Sequence, residues 1–253
     1  MNSIFITGAG AGIGLATARL FAGKGWFVGA ADRDAAALQA VQRDLGTERC
    51  SIHVVDVVDA ATVAKALEDF TARSGGLHVL HNNAGILKVG PFEQIGLDEH
   101  RRIIEINVIG LLNVLHTAFP YLQATPGAQV VNMSSASALF GTPDFASYSA
   151  SKHAVRAMTE ALSIEWEPHG IRVTDLMPPF VNTGMVQANQ HSSRLFERLG
   201  TKLAAEDVAA EVWNLVRKPR LHRPLTPQFR ALWPVARALP SGLTRQVFKR
   251  LWK

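Results

Sequence analysis

From Arg217 to Lys253 the chain contains no Asp or Glu against ten Lys or Arg, so its net charge of +5 arises in that tail. The first 216 residues hold 16 basic and 21 acidic side chains and are mildly acidic. That balance, with no nucleic-acid reading motif in the basic run, argues against a nucleic-acid partner. Cysteine occurs once, at Cys50, which excludes an intramolecular disulfide and a multi-cysteine metal site and fits a reducing, cytoplasmic setting. No unbroken apolar run approaches the roughly 18 residues of a membrane span. The start, Met1-Asn2-Ser3-Ile4-Phe5, has neither a basic segment nor a small-residue cleavage site, so no signal peptide is expected. The nine histidines form no HExxH or other ligand spacing, and no metal is expected.

What the chain does have is ordinary globular material, 47% hydrophobic and 19% charged over 253 residues, enough for one large domain or two small ones. Short apolar runs, Ser3–Thr7, Trp26–Ala31, Ser51–Val55 and Leu77–Asn82, alternate with amphipathic stretches, Ile13–Lys24, Asp34–Leu45 and Ala60–Arg73. The runs are too short for helices and apolar on both faces, as strands of a parallel sheet covered on both sides must be. The alternation continues through a helix Asp98–Leu122, a strand Gln129–Met133, a helix Ser147–Trp166 and a strand Ile171–Met177. With no linker and no repeat, the pattern predicts a single-domain α/β fold: a doubly wound parallel sheet with helices on both faces.

The first strand runs into Thr7-Gly8-Ala9-Gly10-Ala11-Gly12-Ile13-Gly14 and then a helix. Glycines there let the backbone turn tightly and approach a pyrophosphate at the helix amino terminus, where free N–H groups and the dipole favour an anion. A turn that merely lets strand and helix pack closely would use the same residues. The second strand ends at Asp32, eighteen residues beyond Gly14, where a carboxylate can hold ribose hydroxyls and repel a 2′-phosphate. That favours NAD, although Arg33 could hold the phosphate of NADP. Asp34 reads as a helix cap. Asp56, after the third strand, either reaches an adenine edge or caps the helix near Ala60.

Tyr148 and Lys152 stand four residues apart, on one face of a helix. A phenol has a reference pKa of about 10, and a neighbouring cation favours its ionised form. The pair could exchange a proton with an alcohol or carbonyl. Alone this spacing is a weak signal. Together with Thr7-Gly8-xxx-Gly12-Ile13-Gly14, Asp56, Asn82-Asn83-Ala84-Gly85, Asn107 and Ser134-Ser135, all in this order, it resembles the short-chain dehydrogenase/reductase family over residues 3 to about 190.

The resemblance implies a Rossmann-like fold, a homodimer or homotetramer, and hydride transfer between a nicotinamide and an alcohol, ketone or aldehyde. It assigns Tyr148 to proton transfer at the substrate oxygen and Lys152 to lowering its pKa and holding the nicotinamide ribose. Ser135, rather than Ser134, would hydrogen-bond the same oxygen. Asn107 would kink its helix and hold a water that links Lys152 to solvent. The cofactor would lie along Gly8, Gly10, Gly12, Ile13, Gly14, Asp32, Arg33, Asp56, Val57, Asn83, Ala84 and Gly85, then Tyr148, Lys152, Pro178, Val181 and Thr183. The family commonly has Pro-Gly where this chain has Pro178-Pro179, a change that removes an N–H and fixes φ.

Selectivity is expected in the loops after Ser135 and Pro178, the second spanning 178–205. Leu139, Phe140, Phe145, Phe180 and Met185 there suggest a lipophilic small-molecule substrate, although loop cores use the same side chains. The extension 222–253 interleaves Leu225, Phe229, Leu232, Trp233, Val235, Leu239, Val247, Phe248, Leu251 and Trp252 with basic residues. Such a composition fits peripheral membrane contact. It equally fits a lid, a subunit contact, or basic stems covering core.

Overall fold

A computed structural model describes residues 1–189, 193 and 203–252. Seven strands form one wholly parallel sheet in the order β3-β2-β1-β4-β5-β6-β7. They are β1 Ser3–Thr7, β2 Phe27–Asp32, β3 Cys50–Val54, β4 Val79–Asn82, β5 Gln129–Met133, β6 Arg172–Met177 and β7 His222–Pro224. The order reverses between β1 and β4, so the chain ends after β1 and β4 diverge and leave a crevice at the carboxyl edge of the sheet.

Alternate side chains of each strand feed two separate cores. Ile4 and Ile6 of β1, Val79 of β4 and Val131 of β5 face α1 (Gly12–Gly23), α2 (Ala35–Leu45) and α8 (Ala205–Arg217). Phe5, Leu80 and Val130 face the other way, against α3 (Ala60–Ser74), α5 (Leu111–Gln123) and α6 (Ala146–Glu165). On that side Phe5 meets Phe70 edge-on at 5.3 Å, and fully burying such a ring is worth about 1.5–3 kcal/mol. The strands are apolar on both faces because both faces are covered.

The expected helix over 98–122 is one rod from Leu97 to Gln123, comprising α4 (Leu97–Ile104), a π-helical turn Glu105–Gly110, and α5. Its length, with a mean hydropathy of 1.4 over its most apolar 18-residue window, is that of a membrane span, a property hidden in the sequence because polar residues interrupt every apolar run. Leu111, Val114, Leu115, Ala118 and Leu122 nevertheless lie in the protein core, against α3 and the sheet.

Beyond β6 come α7 (Gly184–Gln187), α8 and β7, then α9 (Pro227–Ala238) and α10 (Ser241–Trp252). The first three residues of the basic extension are thus a sheet strand. Three residues with a proline carry no strand pattern of their own, and Pro224 is tolerated because β7 is an edge.

Candidate active site

The glycine turn is fixed by contacts that a side chain would break. Gly8 and Gly12 have φ of +69° and +53°, and a Cβ on Gly14 would stand 2.1 Å from the Gly8 carbonyl oxygen. Asn83 Nδ2 donates to the carbonyls of Thr7 (3.0 Å) and Gly8 (3.1 Å), while Thr7 Oγ1 accepts the N–H groups of Asn83 and Ala84. Strand β4 and the turn are therefore one rigid unit. The residue before α1, Ala11, offers no side-chain cap, so the first N–H groups of the helix are left for an outside acceptor. Ala11, Gly12 and Ile13 line a cavity there, which is the arrangement an anionic pyrophosphate needs.

Asp32 closes the other side of the turn. Its Oδ2 accepts the Gly10 N–H at 2.9 Å and its Oδ1 accepts the Asp34 N–H at 3.1 Å. Gly10 holds the carboxylate from behind, and neither Gly10 nor Gly14 lines the cleft. Asp32, Arg33, Asp56, Val57, Ala84 and Gly85 do, around a groove of about 760 Å³. Asp34 caps α2 by accepting from Ala37 (3.0 Å), as expected. The α3 cap is Asp59, which accepts from Ala61 and Thr62, so Asp56 does not serve as that cap. The groove also includes Asp98, Arg101, Arg102 and Glu105, none of them singled out in the sequence. Their helix lies far along the chain from the glycine turn, and no spacing rule connects the two.

At the far end the groove meets a second cavity of about 300 Å³, which shares Gly8, Asp32, Ala84 and Gly85 with it. Tyr148 and Lys152 lie one turn apart on α6 and both line this cavity. Ser135 lines the same cavity, with its side chain close enough to act on the Tyr148 phenol. Ser135 Oγ also accepts the Ser137 N–H at 3.1 Å, whereas Ser134 Oγ turns to the Lys152 carbonyl at 3.4 Å. Lys152 Nζ donates to the Met133 carbonyl at 2.8 Å and stands 5.5 Å from the centre of the Tyr148 ring.

Burial dominates the protonation of both groups. It pushes the Tyr148 phenol up to about 12, against the opposing effect of the nearby Ser135 side chain, and pushes Lys152 down to about 8. The phenol thus moves opposite to the direction that the resemblance implies. Lys152 is itself desolvated and engaged with the Met133 carbonyl, so its charge does not outweigh the loss of water around the phenol.

Asn107 does not line either cavity. It sits in the π-helical turn, where its Nδ2 donates to the Ile86 carbonyl (3.0 Å) and Ser151 Oγ (3.1 Å) and its Oδ1 accepts the Ile86 N–H (2.8 Å). The helix departs from α geometry there as a π-helical turn. A Cβ on Gly85 would be 3.1 Å from Asn107 Oδ1 and 3.7 Å from Lys152 Nζ, so Gly85 keeps the space between them open.

Pro178, Pro179, Val181 and Thr183 line the same cavity, and the Pro178 carbonyl accepts the Ala136 N–H at 2.9 Å. Phe145, Phe180 and Met185 complete an apolar wall, with Phe145 stacked on Phe180 at 5.6 Å. Leu87, Ser137 and Val186 also belong to it, and their sequence context carries no sign of that. Leu139 and Phe140 do not line the cavity. The Phe140 ring instead stacks on Phe248, from α10, at 4.5 Å. Among the described residues no group of three or more His, Cys, Asp or Glu is placed to hold a metal. Positions 190–192, 194–202 and 253, including His191 and much of the expected substrate loop, lie outside the described residues.

The family model for short chain dehydrogenase matches residues 2–194. A meso-2,3-butanediol dehydrogenase of Serratia marcescens is 33% identical over 211 residues, covering 82% of this chain and 84% of that protein. A cyclohexanol dehydrogenase of an Acinetobacter species is 31% identical over 184 residues, 72% of this chain and 73% of the relative. Among solved structures, a short chain dehydrogenase/reductase from Burkholderia phymatum in complex with NAD superposes with a TM-score of 0.85 at 26% identity, covering 97% of this chain and 95% of that one.

Proposed function

Because the chain belongs to the short-chain dehydrogenase/reductase family of NAD(P)-dependent oxidoreductases, we propose that it moves a hydride between NAD(H) and a lipophilic secondary alcohol or its ketone, or the matching primary alcohol and aldehyde. The observation that carries this reading is the convergence of Tyr148, Ser135 and Lys152 on the wall of one apolar cavity continuous with the glycine-turn groove. The nicotinamide, when bound, supplies the hydride acceptor or donor. Tyr148 passes the proton to or from the substrate oxygen, and Ser135 holds that oxygen as its charge changes. Lys152 contributes positive charge and a ribose contact. Asn107 positions this end of the site through Ile86 and Ser151. Pro178, Val181 and Thr183 would border the carboxamide.

Asp32 supports NAD, since both its oxygens are held in place and a 2′-phosphate would meet a fixed negative charge. The competing NADP reading rests on Arg33, which lines the same groove with Arg101 and Arg102. Phe145, Phe180 and Met185 support a lipophilic substrate. For assembly, the exposed Ile104, Ile109 and Leu112 of the long rod and Ile164 of α6 offer an apolar face suited to a second copy. For location we read a cytoplasmic enzyme whose tail rests on anionic lipid. The exposed Val235, Leu239, Leu243 and Val247 among basic residues support that contact.

Titration with NADH and NADPH, followed by turnover of cyclohexanol, 2-alkanols and their ketones, tests the reaction. Tighter NADPH binding would overturn the use of Asp32. Absence of any nicotinamide absorbance change across the panel would support a catalytically idle nucleotide-binding protein instead. Flotation with anionic vesicles tests the tail, and equal recovery with uncharged vesicles would remove the lipid contact.

A further inference from the structure

The basic extension lies beyond the residues that the family model matches, yet two of its helices grip the loop that begins at Ser135. The first grip runs through Arg156, on α6 one turn beyond Lys152. Its Nη1 donates to the Ala138 carbonyl at 3.2 Å, its Nε donates to Glu160 at 2.9 Å, and its guanidinium lies 5.1 Å from the Trp233 ring of α9. The second grip is the Phe140–Phe248 stack, at 4.5 Å and an interplanar angle of 22°. Thr244, a turn before Phe248, is buried and Phe248 is half-buried, so α10 presents one side to the body of the protein.

This end of the chain is itself anchored. His222 of β7 places Nδ1 3.0 Å from Asp175 of β6 and Nε2 3.0 Å from Glu160 of α6. Arg223 and Arg230 both reach Glu211 of α8, at 2.7 and 3.2 Å. On the inner side, the gripped loop supplies Ser135, Ser137 and Phe145 to the cavity, and Phe145 packs against Phe180. Contacts on its outer side at Ala138 and Phe140 therefore set where its inner side stands.

We propose that α9 and α10 form a brace for the substrate loop 136–145, with Phe248 and Arg156 as positioning residues that determine which substrates fit without touching them. As a specificity device this rests on the dehydrogenase reading, whereas the brace itself is tested without turnover.

The test is hydrogen–deuterium exchange of the full chain with NADH bound, comparing wild type, Phe248→Ala and Phe248→Tyr. The loop amides of Ala138, Leu139 and Phe145 are hydrogen-bonded within the loop and report its opening. Phe248→Ala should raise exchange over 136–145 by about fivefold, the worth of an aromatic pair expressed as an opening equilibrium. Residues 3–14 and the NADH affinity should not change, and Phe248→Tyr should restore protection. With 2-alkanols of increasing length, Phe248→Ala should change KM for the longer members while kcat for the shortest stays near wild type. Unchanged exchange over 136–145 in Phe248→Ala with NADH binding intact would overturn the brace. If that variant exchanges throughout, the same comparison is read on Phe140→Leu, which removes the stack from the loop side, with the same two outcomes. Protection as described but no turnover in wild type would count against the dehydrogenase reading alone.

Discussion

The Asp32 carboxylate accepts the Gly10 N–H at 2.9 Å, so the end of the second strand and the glycine turn are a single construction. A Cβ on Gly10 would come within 2.9 Å of the same oxygen, which leaves no room for a larger residue between them. Removing the carboxylate has two consequences, because it also lets a 2′-phosphate approach Arg33. Asp32→Ser is expected to weaken NADH binding about tenfold and to bring NADPH affinity level with it or above. Fluorescence titration of both cofactors measures this. A variant that keeps the wild-type ratio would show that Asp32 does not discriminate.

Asn107 makes three hydrogen bonds from one side chain, two to Ile86 and one to Ser151. Asn107→Leu leaves the half-buried Ile86 N–H and carbonyl without that partner, a loss of about 1 kcal/mol per hydrogen bond. The variant should show a lower urea midpoint and a reduced kcat with NADH binding within a few-fold of wild type. Unchanged stability and kcat would mean that the π-helical turn is held by other contacts.

Much of this architecture is readable along the chain, for reasons that differ by element. Ser3–Thr7 and Gln129–Met133 stand out because buried parallel strands leave unbroken apolar runs between glycine or polar breaks. The choice of Ser135 over Ser134 follows from spacing; both serines line the cavity with Tyr148, and the Ser134 hydroxyl turns to the Lys152 carbonyl. His222–Pro224 is not readable, since an edge strand of three residues is made by its neighbour rather than by its own pattern. Phe140 reads as cavity lining because it lies between Ser135 and Tyr148. Its partner, Phe248, is too distant in the chain for any local rule to supply. The direction of the Tyr148 shift depends on how completely the phenol is buried, and that is a property of the packed site.

Acid should destabilise the protein before carboxylates titrate. Burial pushes His53 and His81 down to about 4, while in the unfolded chain each takes a proton near its reference value of about 6.5. Between those values the unfolded state binds more protons, so stability falls as pH falls through this window and is complete above it. For His53 the loss by about pH 5 is on the order of 2 kcal/mol. Urea midpoints at neutral pH and at about pH 5 should therefore diverge, and His53→Gln should narrow the gap. A gap of the same size in that variant would exclude His53 as a source.

Lys152 gives the opposite end of the pH range. Its folded pKa is lowered to about 8 from an ordinary value of 10.5, so the unfolded chain binds more protons between these values and the Lys152 contribution to stability rises with pH across them. Lys152→Met removes the buried ammonium and should flatten that rise. It should also weaken NADH binding by removing the expected ribose contact. A slope identical to wild type would show that other groups govern the alkaline limb.

The central claim is that Tyr148 transfers the proton in a nicotinamide-dependent reaction. Its most direct test is Tyr148→Phe, which removes one oxygen from a buried position while leaving the ring. Turnover of the best alcohol in the panel should fall by about 10²- to 10⁴-fold, with NADH affinity and unfolding midpoint near wild type. Turnover equal to wild type, with the same affinity and midpoint, would contradict the claim.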